Sequence, residues 1–266
     1  MLSTAGVDRS TPLNRSWSAL SLTSQALVIY AVLMLLALGL TYTVSFGDSQ
    51  TLRGVGIWAK PMKFMAATAL FALTTVWLVS LVGQRIDQKA SFKWIAGLMV
   101  LTSLFEVVYI TYQAAQGEAS HYNTSDPIRA IMFGLMAIAA VGLTASQAWL
   151  AWVIWQSRTD DRVSVVTLSV LIALVLTFAL STISGFLLGA SQPPAGAGMP
   201  ITGWHLHQDL RPAHFLAVHA QQLIPVLGLV AVYAFGSMAR AGLIVGSTFY
   251  LTAWLYLTWV GLGLEG

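Results

Sequence analysis

The chain contains no cysteine. Disulfides, thiolate metal sites and a cysteine nucleophile are therefore excluded, while the compartment stays open. Charge is scarce as well: Asp, Glu, Lys and Arg make up 9% of the 266 residues, against about 25% in soluble domains. Two metal motifs, HExxH and HxxxH, are missing, as is the four-histidine pattern of a two-haem cytochrome b. No lysine falls in the last apolar run, which excludes a retinal Schiff base there.

What the chain has instead is apolar length. Hydrophobic residues make up 57% and mean hydropathy is +0.74. Seven apolar runs stand out, near 25–46, 58–83, 94–115, 128–155, 164–188, 211–236 and 241–263. A span needs roughly 20 apolar residues. Lipid offers no partner for a free N–H or C=O, so spanning segments are helices or closed barrels. These runs are too long and continuous for barrel strands. The expected fold is all-α: a polytopic bundle of seven transmembrane helices (25–266, one domain) behind a polar tail (1–24). The tail has no short apolar core with a small-residue cleavage site, so an uncleaved segment is expected.

Splitting the 13 basic residues by side orients the bundle. With the N-terminus cytoplasmic, the inner side holds Arg9, Arg15, Arg85, Lys89, Lys93, Arg158, Arg162 and Arg240. The outer side holds Arg53, Lys60, Lys63, Arg129 and Arg211. The excess on the first side predicts a cytoplasmic N-terminus and an outer C-terminus in a bacterial-type inner membrane. The outer loops are the longer ones, and "GASQPPAGAG" (189–198) leads into a histidine-rich stretch. Two helix entrances share a grammar there. Asp126 with Pro127 and Asp209 with Pro212 are expected as caps and first-turn prolines, with Arg129 and Arg211 reaching for headgroups.

Four of the five histidines, His205, His207, His214 and His219, lie in "WHLHQDLRPAHFLAVHAQQLIP". Glu106 is the only carboxylate well inside an apolar run. Ionisable groups inside spans are costly and point to function. Glu106 lies about 13 Å below the outer end of its run and His219 about 12 Å below the outer end of its own, so their depths agree. Ser103, Glu106, Tyr109 and Gln113 make one helical stripe. Phe215, His219 and Gln222 make another, while His214 lies on a different face. Pro225 is expected to kink the sixth helix.

These residues predict a one-sided pocket in the outer half, lined by Glu106, His219, Gln222, Tyr109 and Lys63. The expected ligand set for a metal is drawn from His219, His214, His121, Glu106 and Asp209, for zinc or iron. His219 with His121 or His214 would suit the axial positions of haem b. In the catalytic roles stand Glu106 as acid or base, Tyr109, and Lys63 as its counter-charge or an anion holder. Cofactor contacts fall to His219, His214 and Gln222. The function expected is a metal- or haem-dependent membrane oxidoreductase or hydrolase acting on a lipid-soluble or periplasmic molecule. Two readings stand beside it: a proton-coupled small-molecule transporter, and a metal-free binding or sensor protein. The expected partners are the bilayer and a small ligand, not nucleic acid.

Overall fold

A computed structural model describes residues 17–83, 85–159, 163–196, 198–199 and 202–265. Most of the polar tail, with Arg9 and Arg15, and also Arg162, lie outside the described residues. The fold is helical: α1 (Leu22–Ser45), α2 (Ala59–Val82), α3 (Ala90–Ala115), α4 (Pro127–Gln156), α5 (Val165–Ala190), α6 (Arg211–Val218), α7 (Ala220–Phe235) and α8 (Ala239–Gly261). A two-residue ladder, β1 (Thr51–Leu52) with β2 (Val55–Gly56), closes over Arg53 and Gly54, both at positive φ. A two-residue hairpin turn of that hand needs φ > 0 at both central residues, which Gly54 adopts freely.

Polar residues start the helices where the sequence places them. Ser21 caps α1 through Ser24 N at 3.2 Å, and Ser164 caps α5 through Thr167 N at 3.0 Å. Asp126 caps α4 through Arg129 N at 2.9 Å, with Pro127 in the first turn. Each bond satisfies a helix N–H that has no intrahelical partner. Gly83 ends α2 in the left-handed region, donating to the Val79 carbonyl.

Six stretches are long and apolar enough to cross a membrane: Leu22–Ser45, Ala59–Val82, Ala90–Ala115, Pro127–Gln156, Val165–Ala190 and Ala220–Gly261. The last joins α7 and α8, which reverse at Gly236 and pack on each other. Large apolar side chains such as Ile138, Tyr233 and Phe249 point away from the bundle. A soluble surface rarely carries such a sheath. Inside, Leu27, Met65, Leu78, Ile95, Met99, Leu150 and Leu174 join α1 to α5. Ala173, Ala220, Ile224, Leu243 and Tyr250 join α5, α7 and α8.

The run 211–236, expected as one helix kinked at Pro225, is two helices. The i→i+4 ladder lapses at His219, which ends α6 and precedes α7. The Leu216 carbonyl, released from that ladder, accepts the Tyr250 hydroxyl of α8 instead. Pro225 lies within α7, where it has no N–H to give the Gln221 carbonyl.

The two ends of the bundle differ. At one, Ala19 lies with Val79, Gly83, Arg85 and Asp87, and Arg240 reaches the Val163 carbonyl at 2.6 Å. At the other, the loops interlock. Arg53 donates to the Pro193 carbonyl, Tyr122 to that of Leu188, and Lys63 to that of Thr202 at 2.9 Å. The C-terminal segment joins this end: Gln208 N bonds the Val260 carbonyl at 3.3 Å, and His207 Nδ1 lies 2.5 Å from Glu265.

Candidate functional site

The site builds from the polar stripe of α3. Ser103, Glu106, Tyr109 and Gln113 are all buried, as their spacing predicts. Ser103 donates to the Met99 carbonyl at 2.6 Å and meets Tyr30 Oη at 2.7 Å. Gln113 donates to the Ala119 carbonyl at 3.2 Å, pinning the loop above. Glu106 differs from both: it is only 5% exposed, yet its carboxylate has no hydrogen bond or ion pair among the described residues. The opposite charge within its electrostatic reach is Lys60.

Sequence pattern pointed to Lys63 as the partner of Glu106. Lys63 is instead exposed and held by the Thr202 carbonyl. The two lysines lie three positions apart in "AKPMKF", on neighbouring faces of α2, and spacing alone does not choose between them. Lys60 is the one within electrostatic reach of Glu106 on α3, while Lys63 is held by the α5–α6 loop.

His121, in the α3–α4 loop, approaches the rings of Phe64 and Phe133, with centroids 6.3 and 5.9 Å away. Its Nδ1 lies 3.1 Å from Ser120 Oγ. Burial, reinforced by the nearby Lys60 charge, pushes this imidazole down to about 3. The ring is therefore neutral at physiological pH. His214 is anchored alike, its Nδ1 3.0 Å from Ser184 Oγ of α5. In both rings Nε2 has no protein partner among the described residues. His214 lies within electrostatic reach of His121 on one side and of His219 on the other.

His219 occupies the break between α6 and α7 and packs against Phe215 with the rings tilted and their centroids 4.1 Å apart. Gln222 lies beside it and donates to Thr74 Oγ1 of α2 at 3.1 Å. The expected stripe of Phe215, His219 and Gln222 thus forms, and the break turns it toward α2. Tyr109 is buried on the Glu106 stripe, in a cluster with Ile110 and Met136.

Asp209 takes no part in this group. Its buried carboxylate accepts from Arg211 Nη2 at 2.6 Å, Arg211 N at 3.0 Å and His205 N at 2.8 Å. Burial alone would raise this carboxyl, but the Arg211 guanidinium and the two backbone donors hold it below the usual carboxylate range. Asp209 was expected as a metal ligand and as the cap of the sixth helix. The cap position is Leu210, and the Asp209 oxygens are already engaged. Arg211 and Arg129, expected to reach for headgroups, bond groups within the protein. Arg211 folds onto Asp209 and the Gly203 carbonyl, and Arg129 pairs with Glu118 at 2.5 Å and with Asp126. His205 and His207 stay in the loop layer.

Among the described residues no three His, Cys, Asp or Glu side chains gather to hold a metal ion. The ligand set expected for zinc, drawn from His219, His214, His121, Glu106 and Asp209, does not converge. What the structure links instead is a series of pairs within electrostatic reach: Glu106 with Lys60, Lys60 with His121, His121 with His214, and His214 with His219. Lys60, Ser120, Ser184 and Tyr250 were absent from the sequence-based list. A serine in a loop, and a serine and a tyrosine in apolar helices, carry no signal of the partner they will meet. Comparison with protein-family models, curated proteins and solved structures finds no match.

Proposed function

We propose that this chain is a multi-pass membrane protein that binds a small lipid-soluble or periplasmic molecule at an acid–base site beneath its interlocked loops. On this reading α6 and α7 form one interrupted crossing, which makes seven. The N-terminus is cytoplasmic and the membrane is of the bacterial inner type. The state of the cations supports that orientation. At the loop-rich end Arg53, Lys63, Arg129 and Arg211 bond carbonyls or carboxylates. At the other end Arg158 and Arg240 bond the Trp155 and Val163 carbonyls, while Arg85, Lys89 and Lys93 carry no such bond among the described residues, which leaves free positive charge on that side.

The observation that carries the reading is the paired anchoring of His121 and His214. In each, a serine holds Nδ1 and leaves Nε2 without a protein partner. Anchoring one ring nitrogen fixes the ring's orientation and aims the other. Glu106 and Lys60, in reach of each other yet unbonded, supply an acid–base pair beside them. A buried charge without a direct partner is costly, so a ligand that completes it gains binding energy. The roles follow: His121 and His214 orient the ligand through Nε2, Glu106 exchanges a proton with it, and Lys60 balances the charge that results.

The same two nitrogens favour a second reading. An iron or haem b asks for one or two imidazoles, not the three ligands of a zinc centre. His121 and His214 would hold it, and it would supply redox chemistry to a lipid-soluble substrate. A visible spectrum separates the two readings. A Soret band lost in His214→Ala supports haem. Protein that lacks the band and still retains a small molecule supports the metal-free site.

A further inference from the structure

Below the histidines the helices carry a second polar layer that the acid–base site does not use. Thr177 and Gln221 are fully buried and Ser181 is 4% exposed. Among the described residues Thr177 Oγ1, Ser181 Oγ and both amide atoms of Gln221 lack any hydrogen-bond partner. Trp254 Nε1 is unpartnered as well, in a ring packed with Leu180, Ala213 and Ala217. Leaving such groups unpaired costs about 1–3 kcal/mol each, and native interiors rarely tolerate several together.

The helix register brings the groups of α5 and α7 to neighbouring turns. α5 runs antiparallel to α6 and α7. Ser184 meets His214 near the loop end. Ser169 lies against Gly228 further down, where an added Cβ would meet Ser169 Oγ at 2.3 Å. Between these two fixed points, Thr177 falls level with Gln221. Ser181 stands one turn above Thr177 and Ser184 nearly one turn above that. A hydroxyl ladder therefore runs down α5 from His214 to Gln221. Gln221 itself sits between the lapse at His219 and the missing donor at Pro225. No turn of this crossing is held less firmly by its own backbone, so its packing can yield to an occupant.

The geometry points to this layer as the deep end of the ligand site, receiving an uncharged oxygen: a water, or a carbonyl or hydroxyl of a lipid-soluble ligand. The mixture of atoms decides the class. Gln221 Nε2 and Trp254 Nε1 only donate, so a cation would leave both unsatisfied. An anion would face Gln221 Oε1, and neither α5 nor α7 carries a charged residue to balance it. A neutral oxygen accepts from the N–H groups, and the two hydroxyls turn to suit it. The inference rests on the acid–base reading for the ligand's position, not for the pairing of these groups.

Thermal melts of purified full-length Thr177→Val and Gln221→Leu test it, run before and after delipidation by detergent exchange. If the layer is occupied, both variants melt a few degrees below wild type, and Thr177→Ser restores the loss. A loss that persists after delipidation assigns the occupant to water. A loss confined to the lipid-retaining preparation assigns it to a bound molecule. Thr177→Val melting at or above wild type in both preparations would overturn the proposal, because deleting a truly unpaired hydroxyl is neutral or stabilising. Either variant failing to fold while Thr177→Ser behaves as wild type counts as support. Glu106→Gln separates the two proposals. If that variant leaves ligand retention intact while the Thr177 melts shift as expected, the polar layer stands and the acid–base reading falls.

Discussion

At the scale of single residues, Glu106 and Lys60 set the character of the site. Each is the other's nearest compensation, and no ion pair joins them. Removing the cation leaves the Glu106 carboxylate without compensation in a low-dielectric interior. Lys60→Met is therefore expected to destabilise the protein by on the order of 2 kcal/mol, less than the 3–5 typical when a direct buried pair is broken. Lys63→Met, three residues on, removes an exposed bond to a loop carbonyl and should change stability by less than about 1 kcal/mol. Melting curves of the two variants side by side check this ordering, and equal losses would contradict it. Glu106 was legible in the sequence because a lone carboxylate in an apolar run is rare. Its partner was not, because "AKPMKF" offers two lysines on neighbouring faces, and one of them, Lys63, is held by Thr202, some 140 positions away in the chain.

At the scale of elements, the interrupted crossing of α6 and α7 is what positions the histidines. A continuous helix would hold His214 and His219 on faces well apart. His219 still bonds the Phe215 carbonyl at 3.1 Å and packs its ring on that residue one turn back, while beyond the lapse Gln222 reaches Thr74 of α2. Tyr250 stabilises the lapse by bonding the Leu216 carbonyl that the ladder releases. Tyr250→Phe should cost about 1–3 kcal/mol, the usual penalty for a buried acceptor left unpaired. An unchanged melting temperature would mean that α8 does not support the break. The hydrophobic runs for α1 to α5 are readable from composition because lipid demands complete internal hydrogen bonding. The break is not readable in that way. Pro225 marks where a backbone donor is missing, but the ladder gives way at His219, where a neighbouring helix supplies a substitute bond.

At the scale of the whole molecule, the longer loops and the C-terminal segment close one end of the bundle. Asp209 is the buried fastener of that cap, joining Arg211, His205 N and, through Arg211, the Gly203 carbonyl. Its folded carboxyl titrates below the ordinary carboxylate range, so it contributes stability that is fully present above about pH 4, the unfolded value. That contribution disappears as pH falls through the lower folded value. The difference in melting temperature between wild type and Asp209→Asn should therefore be constant above about pH 5 and shrink in more acid solution. A difference that grows on acidification would reverse the assignment. Periodicity announces the individual helices, but it says nothing of how loops from distant parts of the chain bond one another. Hence Glu106, Tyr109 and His219 could be singled out by their spacing, whereas no spacing shows that the oxygens of Asp209, expected as a metal ligand, are taken by Arg211 and His205 N.

The account turns on whether the group formed by Glu106, Lys60, His121, His214 and His219 holds a small molecule. The most direct measurement is native mass spectrometry of the protein released from membranes in mild detergent, comparing wild type with His214→Ala and Glu106→Gln. The account predicts one small molecule retained at near-stoichiometric amount by wild type and largely lost from both variants, with all three proteins folded. Wild-type protein that carries nothing, or the same adduct on all three, would contradict it.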